Sequence, residues 1–228
     1  MTAQPPNGVT DANPGGPIVL SVKDGTFTEV RLTGEKVTVK GTLSGDGKTW
    51  SAGEHLGFGQ TYTWSGTAIG RDGERTHLSG SFGTVQPKGT RKAKVNVVDG
   101  AAYGVAIPIK VSFQDSAGAE VFVKDKASVE RALKVETSMP AEGAWAWLSD
   151  SAVHWRPKEY WQPDTRVKVV ADLYGVSLGG GLFGANDVSA SFTIGREQTV
   201  EASTRNPEFD YFDWAVSWDT WRTKSALL

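Results

Sequence analysis

Cysteine is absent from this chain of 228 residues. That excludes thiol nucleophiles, disulfides and thiolate metal sites. It leaves the compartment open, because an exported domain with a good core needs no disulfide. Long apolar runs are missing too, since none approaches the ~20 residues that a membrane-spanning helix needs. Charge of one sign is equally scarce. Twenty-four Lys and Arg stand against 26 Asp and Glu, for a net charge of −2, and no basic run exceeds Arg91-Lys92. Such a chain has no electrostatic footprint for nucleic acid. The three histidines, His55, His77 and His154, lie in separate segments without HxH or HxxxH spacing, which argues against a metal site. No carboxylate pair stands out as acid and base in an aromatic cleft, so glycosidase chemistry is a minor reading. Residues 1–17, rich in Pro, Gly, Asn and Thr, lack the charged start and apolar stretch of a signal peptide. They read as a disordered lead without an export signal or lipoprotein motif.

What the sequence does contain is one pattern stated twice. Lys40-Gly41-Thr42-Leu43, Thr49-Trp50-Ser51, Thr61-Tyr62-Thr63-Trp64 and Ser79-Gly80-Ser81-Phe82 return as Glu142-Gly143-Ala144-Trp145, His154-Trp155-Arg156, Thr165-Arg166-Val167-Lys168-Val169 and Ser189-Ala190-Ser191-Phe192. Gly41 and Gly143, Trp50 and Trp155, Tyr62 and Val167, and Phe82 and Phe192 are offset by 102, 105, 105 and 110. That is the length of a whole small β domain, too long for a solenoid repeat. Hydrophobic content of 39% with nine Trp supplies a core for each copy.

Apolar and polar residues alternate through Val37–Leu43 and Tyr62–Ala68, with turn clusters such as Ser44-Gly45-Asp46-Gly47 and Gly70-Arg71-Asp72-Gly73 between the runs. Strands of that length with frequent turns predict antiparallel sandwiches. The expected division is a first module over 18–85, a short linker at Gln86-Pro87-Lys88-Gly89-Thr90, and a second module over 91–195. One helix is expected from Lys126 to Leu133, capped by Asp125, with Val129, Ala132 and Leu133 on one side. From Arg196 the chain reads as a linker stub and an aromatic tail (196–228), in which Asn206-Pro207-Glu208 could start a helix.

Gly179-Gly180-Gly181-Leu182-Phe183-Gly184 matches GxGxxG in form, but a strand-like alternation over 187–192 follows where a dinucleotide site needs a helix. A glycine hairpin is the better reading. No cofactor is expected. The aromatic set Trp145, Trp147, Trp155, Tyr160 and Trp161 is core in its ordinary reading, for Trp155 above all. Trp145 and Trp147 lie two apart and share a strand face. Exposed rings among them would serve as a sugar platform or a docking surface.

Several ungapped stretches carry a resemblance. They are Ala141-Glu142-Gly143-Ala144-Trp145-Ala146-Trp147-Leu148, His154-Trp155-Arg156-Pro157-Lys158-Glu159-Tyr160-Trp161, Leu173-Tyr174-Gly175-Val176 and Phe192-Thr193-Ile194-Gly195-Arg196-Glu197-Gln198. In the first copy, Asp24-Gly25-Thr26-Phe27 and Leu56-Gly57-Phe58-Gly59-Gln60-Thr61-Tyr62 join them. In this order they resemble the membrane-proximal region of actinobacterial L,D-transpeptidases, over about residues 18 to 203. In that family two bacterial immunoglobulin-like modules stand between a membrane anchor and a catalytic domain that cross-links peptidoglycan through an acyl-enzyme on cysteine. The family's Ser-His-Gly-Cys signature has no counterpart here, so the resemblance carries over no catalytic residue.

The resemblance implies an all-β chain of two tandem immunoglobulin-like sandwiches, non-catalytic and placed in the cell envelope. Such a chain would space and dock a transpeptidase domain. A glycan-binding module using Trp145, Trp147 and Trp161 is the alternative from another class, and a truncated fragment bearing the transpeptidase name is a third. The candidate docking or glycan contacts are Trp145, Trp147, Tyr160, Trp161 and Tyr174, of which Tyr160, Trp161 and Tyr174 are expected to be the least covered. The partners implied are a catalytic transpeptidase domain or peptidoglycan, without nucleic acid, metal or a transmembrane segment.

Overall fold

Alternation of apolar and polar residues becomes pleated sheet throughout the computed structural model, which describes residues 1–196. The tail aromatics and the helix expected at Asn206 lie outside the described residues. The described residues form two units, Met1–Arg91 with Leu173–Asn186, and Lys92–Asp172 with 187–196.

The first unit opens with β1 (Thr2–Gln4), β2 (Val19–Ser21), β3 (Thr26–Thr33), β4 (Thr38–Val39), β5 (Gly41–Leu43), β6 (Thr49–Ala52), β7 (Thr61–Ile69) and β8 (Arg75–Gly83). They make two antiparallel sheets, in the orders β1-β2-β6-β5 and β4-β3-β7-β8. The core takes one pleat side from each: Leu20 and Trp50 from the first, and Phe27, Leu32, Tyr62, Trp64, Leu78 and Phe82 from the second. Trp64 meets Trp50 edge to face, with ring centroids 5.4 Å apart, a geometry that the ring quadrupole favours.

Next comes β9 (Gly89–Val95), followed by β10 (Ala102–Tyr103), β11 (Ile109–Gln114), α1 (Lys126–Arg131), β12 (Leu133–Thr137), β13 (Gly143–Ser149), β14 (Ala152–Pro157) and β15 (Arg166–Ala171). Then β16 (Ser177–Gly179) and β17 (Leu182–Gly184) return to the first unit, and β18 (Val188–Ile194) completes the second. In the second unit β11 pairs with residues 92–95 of β9, β14 with β11, and β13 with β14, all antiparallel. Its other sheet runs β10-β18-β15-β12, antiparallel except for β10 against β18. The core between them includes Ile109, Trp155, Trp161, Val167, Val169, Phe192 and Ile194. Both units are built of largely antiparallel sheets around an apolar core, as the alternation and turn spacing predict.

The duplication extends to register. Trp50 lies between Leu43 and Leu20 on its two neighbouring strands, and Trp155 lies between Trp145 and Ile109. Two residues beyond each tryptophan, the neighbouring strand presents a glycine: Gly41 opposite Ala52 and Gly143 opposite Pro157. A Cβ on either glycine would fall within the indole of Trp50 or Trp155. On the facing sheets, Tyr62 is opposite Phe82 and Val167 opposite Phe192. All four pairs picked out by the repeat therefore occupy matching places.

Three boundaries differ from expectation. The first seventeen residues are ordered: β1 pairs with β2, Ala12 is buried, and its amide donates to the Gly83 carbonyl at 3.0 Å. An edge such as that of β2 carries unpaired N–H and C=O groups, and a lead without apolar periodicity can still satisfy them. Gly89 and Thr90, expected as linker, begin β9 and pair in parallel with Leu182 and Phe183. The helix stops at Arg131, and Leu133 pairs with Ala171 as the first residue of β12. Its expected cap is present, with the Asp125 carboxylate accepting from the Ser128 amide at 3.2 Å. The glycine run makes the expected hairpin between β16 and β17, with φ of 85°, 65° and 83° at Gly179, Gly180 and Gly181. Among the described residues, no helix is long and apolar enough to cross a membrane.

Trp50→Ala and Trp155→Ala are each expected to cost ~3–5 kcal/mol. Gly41→Ala and Gly143→Ala are expected to cost ~1–3 kcal/mol by overpacking, even though alanine is the better residue on backbone entropy. Urea unfolding of the four variants checks this. A glycine variant within ~0.5 kcal/mol of the parent would mean that the ring does not lie over that glycine.

Candidate functional site

The aromatic residues of the second unit are distributed by the pleat of β13 and β14. Trp145 is opposite Trp155 and Trp147 opposite Val153. Trp155 and Val153 are buried, so Trp145 and Trp147 face inward with them. Both are only half-buried because β13 is the edge of its sheet. Trp147 lies against the helix side of the unit. Its Nε1 donates to Glu130 Oε1 at 2.7 Å, its ring is 6.5 Å from that of Phe113, and Lys126 Nζ sits 5.2 Å from its centroid. Lys126 is in turn 2.7 Å from Asp150. These contacts pin α1 to the edge strand, using the indole face for the cation and the indole N–H for the carboxylate.

Trp161 is a correction. Expected among the least covered residues, it is 2% exposed, stacked on Trp155 at 5.0 Å and 30°. Its amide donates to the Val105 carbonyl at 2.9 Å, and its Nε1 donates to Ile107 O at 2.8 Å. A residue outside the strands becomes core when a ring caps the sandwich and every N–H finds a carbonyl. Its neighbour Tyr160 points away and is 66% exposed. It lines a shallow groove of about 260 Å³ with Val105, Ala106, Arg156, Pro157, Lys158 and Glu159. Tyr174 is the second correction, because it belongs to the first unit. There its hydroxyl donates to the Leu56 carbonyl at 2.7 Å, and its ring packs on His55 at 4.9 Å and Phe58 at 5.1 Å.

The five candidate rings therefore do not form one surface. Trp161 is core, Trp145 and Trp147 face inward, Tyr174 lies in the first unit, and Tyr160 alone of the five is mostly exposed. A sugar platform needs coplanar uncovered rings, which this set does not supply. Among the described residues, no group of three or more His, Asp or Glu is placed to hold a metal ion.

Sequence reasoning also missed a set of cations on the opposite side of the same sheet. The positions that alternate with Ala93, Val111, Phe113, Val153 and Trp155 include Lys92, Lys94, Lys110, His154 and Arg156, with Ser112, Gln114 and Ala152 uncharged among them. The local signal was the alternation Lys92-Ala93-Lys94, and the rest comes from two further strands. Burial holds the pKa of His154 below the ordinary value of 6.5, and the charges of Lys110 and Arg156 add to the effect.

Residues 9–177 match the family model of a bacterial Ig domain. The chain is 43% identical over 207 residues to L,D-transpeptidase 5 of Mycobacterium tuberculosis strain H37Rv, in an alignment covering 89% of this chain and 45% of the relative. It is 35% identical over 203 residues to L,D-transpeptidase 2 of strain CDC 1551, covering 89% of this chain and 48% of the relative. Among solved structures, LD transpeptidase LdtMt1 in complex with imipenem is 30% identical, covering 45% of this chain and 38% of that chain with a TM-score of 0.34. The chain spans about half the length of the curated relatives it matches.

Adjacent aromatics should behave oppositely. Trp161→Ala is expected to cost ~3–5 kcal/mol, and Tyr160→Ala to stay within ~0.5 kcal/mol of the parent, as read by denaturant midpoints. His154 makes a pH signature. Its folded pKa lies below the unfolded value near 6.5, so on acidification the unfolded chain binds a proton that the folded chain resists. Stability is then full above that value and declines as pH falls beneath it. His154→Gln is expected to remove this part of the slope, and identical pH profiles for parent and variant would refute the assignment.

Proposed function

The chain belongs to the bacterial Ig domain family, and we propose that its two units form a non-catalytic stalk that spaces and docks an L,D-transpeptidase catalytic domain in the cell envelope. The observation that carries this reading is the reach of the likeness to L,D-transpeptidase 5. It covers 89% of this chain but 45% of the relative, so the likeness is to the part that precedes the transpeptidase domain in the family resembled. Acyl transfer of the family's kind needs a thiolate, and this sequence has no cysteine. The chemistry would therefore belong to the domain that is docked.

The use made of the aromatics supports a mechanical role. Trp50, Trp64, Trp155 and Trp161 are buried within their own units, where they stiffen each sandwich and are withdrawn from ligands. The candidate docking contact is the exposed Tyr160 with its groove. An amphipathic ring fixed beside a core tryptophan suits an interface, offering a large apolar area at low entropic cost. In the second unit Phe122 and Leu148 are also exposed, at 67% and 69%.

Fusing the chain through residues 196–205 to the catalytic domain of L,D-transpeptidase 5 tests the docking. Amide NMR shifts are expected at Val105, Ala106, Lys158 and Tyr160 relative to the unfused chain, and Tyr160→Ala is expected to weaken them. Independent tumbling of the catalytic domain with no shift at these residues would overturn the docking role.

A further inference from the structure

On the outward face of β9, β11, β14 and β13 in the second unit, every strand position that carries a charge or a titratable group is basic. Pairing places Lys92 opposite Gln114, Lys94 opposite Ser112 and Lys110 opposite His154, with Arg156 two residues beyond His154. The other outward positions include Ala144 and Ala146, opposite Arg156 and His154, together with Ser112 and Gln114, Ala152 opposite Ser112, Thr90 on β9 and Leu148 on β13. The outward positions of these strands thus carry three lysines, one arginine and one histidine, and no carboxylate. The second unit's ion pairs involve Lys126, Lys134, Lys158 and Lys168, and none to Lys92, Lys94, Lys110 or Arg156 occurs among the described residues. From Lys92 to Arg156 the cations cross the sheet diagonally, roughly 20 Å along the strands and 10 Å across them at ordinary strand spacings.

The duplicated unit provides an internal control. The matching strand positions of the first unit are Thr2, Gln4, Val19, Ser21, Thr42, Thr49 and Ser51, none of them charged. The basic face is therefore not a requirement of the fold, and it occurs in a chain whose net charge is −2. Gathering unpaired like charges raises the self-energy of the unit, and at His154 the charges of Lys110 and Arg156 add to burial in holding the imidazole's pKa low.

We propose that this face binds a linear anionic glycan, the polymer's negative charges lying along the diagonal of Lys92, Lys94, Lys110 and Arg156. The choice of a glycan rests partly on the envelope setting proposed above, whereas the cationic track does not. Three features favour it over other polyanions and surfaces. Single-stranded nucleic acid is held by base stacking on successive aromatic side chains, and no outward position of these four strands carries a Phe, Tyr or Trp ring, Tyr160 lying past Arg156 at one end. A membrane surface needs large apolar groups between the cations, and here alanines fill those places, with Leu148 beyond them at the far end of β13. A folded protein partner would call for an interface core rich in aromatics and poor in lysine. What remains is a track of point charges with small neutral residues between them. It suits an extended, hydrated chain whose binding is driven by counterion release.

Polygalacturonate is the test probe, with neutral dextran, oligo-dT and anionic phosphatidylglycerol vesicles as comparators, all titrated against the whole chain. Saturable binding to polygalacturonate is expected, weakening on the order of tenfold to a hundredfold between 50 and 200 mM salt for about four contacts, with none to dextran. Lys94→Glu with Lys110→Glu should abolish it without lowering the denaturation midpoint. Lys36→Glu with Lys40→Glu, in the first unit, should leave it intact. Lys94→Gln with Lys110→Gln gives a milder partial loss and serves if the reversal variant fails to fold. Absence of binding, equal loss in the first-unit control, or tighter binding to oligo-dT or vesicles would each overturn the proposal. The stalk reading stands or falls separately on the shifts at Tyr160 in the fused protein.

Discussion

The indole of Trp155 can close the second sandwich only because residue 143, on the neighbouring strand, has no side chain. A Cβ there would occupy the ring's place, as it would at Gly41 beneath Trp50. Each glycine thereby sets how close the edge strand lies to its tryptophan, and the tryptophan sets what else the core can hold. In the first unit the ring receives Trp64 edge to face, and in the second it receives Trp161 stacked at 5.0 Å. These arrangements answer one steric condition in two ways. A large ring lying flat over glycine leaves its other face to be covered by a second aromatic, drawn from a facing strand in one unit and from a loop in the other.

This condition also explains why the residues that look most functional are not the ones available to ligands. Aromatics are the natural means of closing a small two-sheet core, since each removes a large apolar area from water with few rotatable bonds. The six tryptophans among the described residues thus serve cohesion first. Trp147 extends the same logic to the edge strand, with its N–H satisfied by Glu130 and its face by Lys126. Tyr160, one residue from a buried anchor, is uncovered because the chain direction that sends Trp161 inward sends its neighbour outward.

The duplication and its register were legible because they rest on local alternation and on the Gly and Trp spacing, which survive in a single sequence. The Asp125 cap and the glycine hairpin were legible for the same reason, each depending on residues a few positions apart. Pairings between distant segments were not. Leu173 and Leu178 are buried in the first unit although they follow the second copy's strands in order, because the β16–β17 hairpin pairs with the start of β9. Strand periodicity shows that a segment has an apolar face and is silent about which sheet edge receives it. Trp161 escaped for a related reason: its flanking prolines at 157 and 163 mark a loop, and loops are ordinarily exposed. The basic face was hidden more deeply, since its cations are spread from Lys92 to Arg156 and meet only through register.

A duplicated sandwich separates what must be kept from what is free to change. Inward positions are coupled through a packed core, so Gly41, Trp50, Tyr62 and Phe82 have their counterparts in Gly143, Trp155, Val167 and Phe192, with only Tyr62 altered. Outward positions on the same strands bear no such coupling, because alternate residues contribute to opposite sides of a sheet. Between the two copies they diverge from seven uncharged residues to a row of four permanent cations. Divergence on a face that packing leaves free, toward a charge arrangement that burdens the folded state with repulsion, is where selection for an external contact would act. The outer face of the second unit is therefore a sounder guide to what this chain binds than the tryptophans that hold it together.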